Sequence, residues 1–487
     1  MAALTLLCCG LLLLWGEKNS WSGGTGATPY AIWLQDLGLP DPPDEYSIQR
    51  MLPTSILVLL FKTLDIRPEA RQVVLAYGSM NLVLALTIPY LWTSVARELR
   101  LSPSGRWLGF AVLVANHFVL KWSFYFTAQV DMWAYVSGLG MLCFYLRERP
   151  LLLTGTTVAS AFVWPTSIYL GALLLSFPRR GAGTQPDEPT PVEPPRFPFH
   201  VLAAAAAAAT LLWLIYEGHY VQQLRARPRL TLWPDSPPMA SASEAMLDWL
   251  WLSYALVGVA TLVAVSGALA SAPLWDLGRW RRTLLARGFL ARLAGVLALV
   301  LCVRGVQAYF ASSSPGSDPL RIFLSWNLQG GLTAPGVFYL EHARWYGPAV
   351  FLATFSWYPV CRWVHAYGTG LSLALLLAAV FCVNPESRQA CNLFTLLVPF
   401  CIKRMDQRSW SLAQLSLFAA LSLLMSKVWL PLEPRYEALS PIYHYGLYMP
   451  DGWYSTHAIG GVVCMLAAFL IFRASGRAGS RGVAATA

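Results

Sequence analysis

The sequence predicts an α-helical protein that crosses a membrane many times, as its composition and the length of its apolar runs both indicate. Of its 487 residues, 56% are hydrophobic and 12% are charged, whereas soluble domains carry about 25% charged residues. Runs close to the roughly 20 residues that cross a bilayer core as a helix occur at 201–216, 246–269, 288–303 and 371–383. We therefore expect an all-α, polytopic integral membrane protein with about 12–14 membrane-embedded helices, which form one domain over residues 1–487.

The positions of the basic residues predict how these helices are oriented. The net charge is +10, but Lys and Arg concentrate in short loops between apolar runs, where positive charge orients membrane helices. With a cytoplasmic N-terminus, 20 of the 35 Lys and Arg residues lie on the inner side. We therefore expect a multi-pass protein with membrane lipid as a partner and no nucleic acid; the oligomeric state stays open.

The first apolar run, 2–16, is short, and no basic residue precedes it. It also lacks a clear small-residue cleavage site, so we interpret it as a first membrane helix and not as a signal peptide. It leads into a long outer segment, 17–72. Within that segment the run 52–64 is apolar but too short to cross, and it carries Lys62 near its end, which fits a helix at the membrane surface.

The next spans are predicted at 73–94, 107–126 and 131–146. The apolar stretch 150–177 is too long for one ordinary span and carries Trp164 and Pro165 at its centre. Because proline removes a backbone donor and clashes with the preceding turn, this stretch is either a helical hairpin or a strongly kinked helix. A hairpin returns the chain to the inner side, whereas a single span would reverse the orientation of every later helix.

The stretch 178–198 is rich in proline and charge, which predicts a disordered cytoplasmic loop, and 474–487 is a cytoplasmic tail. Between them, spans are predicted at 200–216, 246–268, 288–310, 346–364, 369–384, 389–402, 409–427 and 457–473. The outer segments are 17–72, 217–245, 311–345 and 428–456. Their Trp and Tyr residues are typical of an interfacial belt, but the ionisable residues among them also indicate a functional site on this face.

No motif of a soluble enzyme is present, neither a phosphate-binding loop nor a dinucleotide fingerprint nor a zinc-protease helix. Charges inside apolar runs are therefore the best guide, because they are costly and usually functional; they are Lys121, Asp131 and Arg304. Asp131 is either a helix cap or, with Gln129, part of a polar site at the outer mouth. Arg304 either extends toward the outer surface or binds a phosphate.

The first outer segment contains several acids. Glu17 directly follows the first helix, and Asp36, Asp44 and Glu45 precede the surface helix. Carboxylates in this position suit two roles: they accept a proton from an attacking hydroxyl, or they hold a divalent cation, Mg or Mn, against a phosphate leaving group. A solvated acidic loop is the alternative.

The layout of one helix, a long outer loop with acids and a surface helix, and then many helices resembles the GT-C superfamily of multi-spanning glycosyltransferases. The stretch YSIQRMLP at 46–53 is similar to the sequence YR-x-L-x-P found early in many bacterial membrane proteins of this broad type. The resemblance implies transfer of a sugar from a polyprenyl-phosphate donor, by a multi-pass protein of the bacterial inner (cytoplasmic) membrane. It also implies that an acid of the first outer loop acts as base or metal ligand, and that basic residues hold the lipid phosphate.

By position, the catalytic role falls first on Asp44 and Glu45, which closely precede the surface helix, and then on Asp36 and Glu17. Members of the superfamily often carry a paired acid after the first helix, where this chain has Glu17 alone. The substrate-binding candidates are Arg50, Gln129, Asp131, Arg304, Arg344 and Arg435.

We therefore expect a membrane glycosyltransferase of the cell envelope, which moves a sugar from a lipid-linked donor to an acceptor at the outer face. A polymerase or ligase of surface polysaccharide is one alternative, and it would depend more on Arg304 and Arg344 than on the acids. A transporter or lipid flippase is another, and it would have broken helices at matching positions of inverted repeats. The sequence indicates one clear break, at Trp164 and Pro165. A non-catalytic scaffold is the last alternative.

Overall fold

The protein is almost entirely helical in the part of the chain that the computed structural model describes. The described residues are 1–19, 29–37, 45–179, 199–217, 229–230, 240–241, 248–270, 280–281, 284–286, 288–311, 328, 330–426 and 451–477. Within them, two short strand pairs join Arg229–Leu230 to Ala240–Ser241 and Arg408–Ser409 to Gly476–Arg477. The all-α prediction is confirmed.

The helices are numbered here in chain order. The first ten are α1 (Ala2–Asn19), α2 (Pro29–Gln35), α3 (Glu45–Ile48), α4 (Leu52–Thr63), α5 (Ala70–Glu98), α6 (Pro103–Val114), α7 (Ser123–Tyr125), α8 (Asp131–Leu146), α9 (Pro150–Ala161) and α10 (Ser167–Ser176). The others are α11 (Phe199–Glu217), α12 (Leu250–Ala270), α13 (Phe289–Phe310), α14 (Val337–Tyr346), α15 (Ala349–Phe355), α16 (Trp357–Ala366), α17 (Thr369–Val380), α18 (Cys391–Met405), α19 (Leu412–Ser426) and α20 (Asp451–Ala474).

Five of the described helices are long and apolar enough to cross a membrane: α5, α11, α12, α13 and α20. Several others are apolar but shorter, among them α1, α4, α10, α17 and α19. The chain is therefore a multi-pass membrane protein, as predicted. The expected total of about 12–14 embedded helices stays a prediction.

The centre of the bundle is α8, which packs against α5, α9 and α18. Its residues are apolar almost all round, as expected of a helix that other helices surround, and Tyr135, Leu139 and Leu142 are fully buried. The closest approach to α18 is at Gly138, where an added Cβ would lie 2.1 Å from the Asn392 carbonyl oxygen. The α8–α18 crossing therefore requires glycine at this position.

We expect Gly138→Ala to destabilise the protein by about 1–3 kcal/mol, because the methyl group must push two backbones apart. Gly140→Ala is the matched control in the same helix, since its added Cβ would make only contacts of 3.9 Å. There, alanine should be neutral or stabilising, because it is the better helix former. The measurement is unfolding in mixed detergent micelles; equal effects at the two glycines would contradict the packing argument.

The stretch 150–177 folds as a hairpin of α9 and α10, and the alternative of one kinked helix is wrong. The two helices run back against each other, so that Gly171 packs on the side chain of Thr157, and Trp164 lies in the turn. At 1.5 Å per residue they are about 18 and 15 Å long, shorter than the ~30 Å bilayer core. The hairpin therefore enters the bundle and returns to the side from which it came.

Contacts gather the loops predicted to be cytoplasmic at one end of the bundle, which we call the inner end. The Arg179 guanidinium donates to the Leu146 carbonyl (2.8 Å) and lies 3.9 Å from the Glu98 carboxylate. The Asp406 carboxylate accepts from the backbone N–H of Ser102, which precedes α6 (2.8 Å). The ends of α5, α8, α10 and α18 thus meet there, which agrees with the predicted orientation of these helices.

Two predicted spans are not single helices. The span 107–126 breaks after α6, because the Asn116 side chain bonds to backbone groups on both sides of the break, the Val112 carbonyl (2.9 Å) and the Val119 N–H (2.9 Å). A π-helix, Phe118–Trp122, follows. The span 346–364 begins at the end of α14, where Gly347 has a φ of 74°. It then breaks at Ser356, which separates α15 from α16. Polar and glycine residues inside apolar runs produced both errors.

The first outer segment is described in part. A helix is present at the predicted surface position, as α4, and it buries Leu57 and Val58 while Leu59 and Leu60 stay exposed. The Thr54 and Tyr77 hydroxyls are hydrogen-bonded (2.7 Å) and connect α4 to α5. Most of the predicted disordered loop 178–198 and cytoplasmic tail 474–487 lies outside the described residues.

Candidate functional site

The ends of several helices meet at the outer end of the bundle, opposite the inner loops. They are the C-terminus of α7, the N-termini of α8 and α18, the tip of the α9–α10 hairpin, and α14. Charged side chains concentrate at this junction, and all of them are buried except Arg388, whose side chain is 18% exposed. We call them the buried charged cluster, and its members are Arg50, Lys121, Asp131, Glu341, Arg344, Glu386 and Arg388.

Asp131, at the N-terminus of α8, is almost completely buried, with 1% of its surface exposed. Its Oδ2 accepts a long hydrogen bond from Trp122 Nε1 (3.4 Å) and lies 4.0 Å from the Arg388 guanidinium. Its Oδ1 has no hydrogen-bond partner among the described residues. A buried carboxylate oxygen without a donor is costly, so its presence here indicates a role other than packing.

The helix-cap interpretation of Asp131 is wrong. Val130 occupies the cap position of α8, and no side chain caps the helix there. Asp131 is instead the first helical residue, where the helix dipole favours its negative charge but leaves Oδ1 available.

The residues 384–390, which we call the polar loop, connect α17 to α18 and contribute two members of the cluster. Glu386 Oε1 accepts from Arg388 Nε (2.5 Å), and Glu386 Oε2 accepts from Gln389 Nε2. Asn384 braces the loop, because its Oδ1 accepts from the Glu386 N–H (2.7 Å) and its Nδ2 donates to Gln389 Oε1 (3.1 Å). The loop is therefore organised by its own side chains.

The hairpin tip connects the polar loop to the first outer segment. Trp164 Nε1 donates to the Gln389 carbonyl (3.1 Å), and the Arg50 guanidinium stacks over the Trp164 ring, 4.2 Å from its centre. The Leu52 N–H also donates to the Phe162 carbonyl (3.0 Å). These contacts bring Arg50 near enough for its charge to act on Asp131.

The other side of the cluster lies on α14 and the π-helix. The Arg344 guanidinium is 3.7 Å from the Glu341 carboxylate, which also accepts from Trp345 Nε1 (3.0 Å). The Trp345 ring meets Trp122 edge to face at 4.9 Å, and Lys121 is close enough to Arg344 for the two charges to interact. Trp122 thus contacts Asp131 and Arg388, whereas Trp345 bonds to Glu341. The two rings lie between these two groups of charges.

His342 attaches the polar loop to α14. Its Nε2 donates to the Cys382 carbonyl (3.0 Å), so its Nδ1 accepts from the Ser387 hydroxyl (2.8 Å). The neutral imidazole suits both contacts, and burial lowers the pKa of His342 from 6.5 to about 4. His342 is therefore an uncharged anchor at neutral pH.

We expect the protein to lose stability as the pH falls from about 6.5 to 4, by up to about 1.4 kcal/mol per pH unit. In this range the unfolded chain binds a proton at His342 and the folded chain does not, so acid favours unfolding. Unfolding temperatures in detergent across this range measure the effect. His342→Gln should flatten the pH dependence, whereas His200→Gln on α11 should not; the same slope in all three proteins would refute the assignment.

The structure brings three of the predicted substrate-binding residues, Arg50, Asp131 and Arg344, into the cluster. Gln129 lies two residues before Asp131 and is half-buried. Arg304 lies on α13, where its guanidinium donates to Tyr169 Oη (2.7 Å) and Gln307 Oε1 (2.9 Å).

The predicted catalytic acids are less completely described. Asp36 is exposed, at the end of α2. Glu17 and Glu45 belong to α1 and α3, but their side chains lie outside the description, as does Asp44 altogether. The substrate-binding candidate Arg435 also lies outside it.

Three members of the cluster, Glu341, Glu386 and Arg388, were missed as site residues from the sequence. For Glu386 and Arg388 the signal was present, because the polar stretch Asn384 to Gln389 lies between two apolar runs. The spans predicted at 369–384 and 389–402 left it as the short connection between them, and nothing in its composition shows that it folds inward onto Asp131.

Comparison of the chain with protein-family models, curated proteins and solved structures finds no match. Among the described residues, no group of three or more His, Cys, Asp and Glu side chains is placed to hold a metal ion. The charged cluster is therefore the main chemical feature on which a function can be argued.

Proposed function

We propose that the chain is a membrane glycosyltransferase, which moves a sugar from a polyprenyl-phosphate donor to an acceptor at the outer face of the bacterial inner membrane. One observation carries the proposal: Asp131 is a buried carboxylate with an unbonded oxygen, at the outer end, beside Arg388. Such a group suits a general base that acts next to an anion. The GT-C layout inferred from the sequence is the context of this proposal.

The reaction assigns a role to each group. The acceptor hydroxyl oxygen attacks the anomeric carbon of the sugar, and its proton passes to the Asp131 carboxylate. The bond between that carbon and the phosphate oxygen breaks, and the electron pair stays on the phosphate. Arginine suits the departing phosphate because its planar donors match phosphate oxygens, and Arg388 and Arg50 are the nearest candidates.

The first outer segment supports this location. Arg50 is docked on the hairpin tip, and five residues span at most about 18 Å even when extended. Glu45 is therefore close to the cluster along the chain, and Asp44 directly precedes it. The described residues alone do not make up a Mg or Mn site, so we assign no step of the reaction to a cation.

The test is sugar transfer by the purified full chain in proteoliposomes. The donors are a panel of polyprenyl-phosphate hexoses with radiolabelled sugars, and the acceptors are lipid and glycan fractions of a bacterial envelope. We expect label to move from at least one donor to an acceptor only when the protein is present. If folded protein transfers label from none of the donors, the proposal is refuted.

Anion transport is the second candidate, and the number of broken helices favours it. The sequence indicated one break, at Trp164 and Pro165, and the structure adds a second near the cluster, at Ala115 to His117. The polar loop brings two further helix ends to the same place. Helix ends that meet around buried charges are a common arrangement of transporter sites. Movement of a labelled polyprenyl-phosphate sugar across the vesicle membrane, without a change in its chemistry, would decide for transport.

A further inference from the structure

The Arg388 guanidinium lies between two carboxylates, and its two distances are unequal. Its Nε is 2.5 Å from Glu386 Oε1, whereas its NH1 is 4.0 Å from Asp131 Oδ2. Glu386 therefore holds the arginine, and Asp131 is a more distant neighbour. The asymmetry is built into the polar loop, because Glu386 and Arg388 are two residues apart on the same segment.

Such an arrangement matters because an arginine can disable a nearby base. A carboxylate that forms close, charge-assisted hydrogen bonds to a guanidinium must break them before it can accept a proton. At 4.0 Å the Arg388 group contributes its charge to the site without closing on Asp131. The Trp122 ring, 6.0 Å from the guanidinium, adds a further contact that fixes its position.

We propose that Glu386 is a positioning residue, which keeps the Arg388 guanidinium turned away from Asp131 so that Asp131 stays available as the proton acceptor. The inference rests on the proposed transferase function for its catalytic meaning. Its structural content is independent of that function, because it states which carboxylate the arginine pairs with.

The first experiment measures that pairing directly. A hydrophobic carbodiimide modifies buried, protonated carboxyl groups, and mass spectrometry gives the labelling rate of each peptide. In Glu386→Gln, Arg388 loses its charged partner and closes on Asp131, so labelling of Asp131 should fall severalfold. In Arg388→Gln, it should rise. Glu341, which is buried and paired with Arg344, is the internal control and should label equally in all three proteins.

The second experiment separates positioning from simple stability. Glu386→Gln leaves one acceptor oxygen for two donors, the Arg388 guanidinium and the Gln389 amide, and so it also costs a hydrogen bond. The double variant Glu386→Gln with Gln389→Glu restores a donor and an acceptor at that contact, but it moves the charge away from residue 386. We expect its thermal stability to recover while Asp131 labelling stays low.

The kinetic readout uses the same variants. Misplacement of a group next to the reacting atoms can cost about 100-fold in rate. We therefore expect kcat to fall roughly 10- to 100-fold in Glu386→Gln and in the double variant. KM should change little, because the arginine acts mainly on the departing phosphate. Recovery of kcat together with stability in the double variant would overturn the inference.

The two proposals fail in different ways. If Asp131 labelling is unchanged in Glu386→Gln, the positioning inference is wrong, whatever the transfer assay shows. If labelling changes as expected but the wild-type protein transfers no sugar, Glu386 still positions Arg388, and it is the transferase function that fails.

Discussion

We expect Asp131→Asn to reduce sugar transfer by roughly 10²- to 10⁴-fold, the usual contribution of a general base. Asparagine has nearly the same size, and its carbonyl oxygen can still accept from Trp122 Nε1, which bonds to Asp131 in the wild-type protein. It cannot take up the hydroxyl proton. The fold should therefore survive while the chemistry fails, and initial rates in proteoliposomes at equal protein content measure the loss.

Asp65→Asn is the matched control for this substitution. Asp65 is exposed in the turn between α4 and α5, and its φ of 55° is a conformation that asparagine readily adopts. Its side chain is exposed and is not a member of the cluster, so the transfer rate of the variant should equal that of the wild-type protein. Near-normal transfer by Asp131→Asn would remove Asp131 from the catalytic role.

We expect Trp164→Ala to destabilise the protein by about 3–5 kcal/mol, the usual cost of a buried large aromatic side chain. Trp164 is 1% exposed at the hairpin tip. Its loss removes the hydrogen bond to the polar loop and the surface on which Arg50 stacks. Unfolding in mixed micelles measures the stability, and protease sensitivity near Arg50 measures whether the first outer segment stays docked.

Two variants make this prediction specific. Trp164→Phe keeps most of the ring but loses the N–H donor, so it should cost about 1 kcal/mol. Trp213→Ala on α11 removes a tryptophan that is 57% exposed, and it should have little effect on the fold. If all three variants unfold alike, the hairpin tip is not the junction described here.

Part of the fold was predictable because it depends on residues that are close together in the sequence. Span 131–146 has the bounds of α8, and a long apolar stretch with a central proline folds as a hairpin. The breaks were harder to predict, because Asn116 needs only its own side chain to replace lost backbone hydrogen bonds. Hydrophobicity that is averaged over a window of residues does not detect a single residue of this kind.

The site was predictable only in outline. An intramembrane charge is costly wherever it lies, so Asp131 could be singled out from the sequence. Its partner Arg388 lies more than 250 residues away along the chain, and only packing brings them to 4.0 Å. Arg304 was singled out in the same way, and its partners Tyr169 and Gln307 were not foreseen either.

The hairpin of α9 and α10 also has a consequence for how the protein is inserted during synthesis. A hairpin that enters and leaves the membrane on one side does not change the side on which the chain continues. By the positive-inside rule, Arg147 and Arg149 before it and Arg179 after it favour retention of both flanks in the compartment of the ribosome. If the stretch instead emerged as one full crossing, every later helix would insert upside down, and the polar loop would be delivered to the wrong face of the membrane.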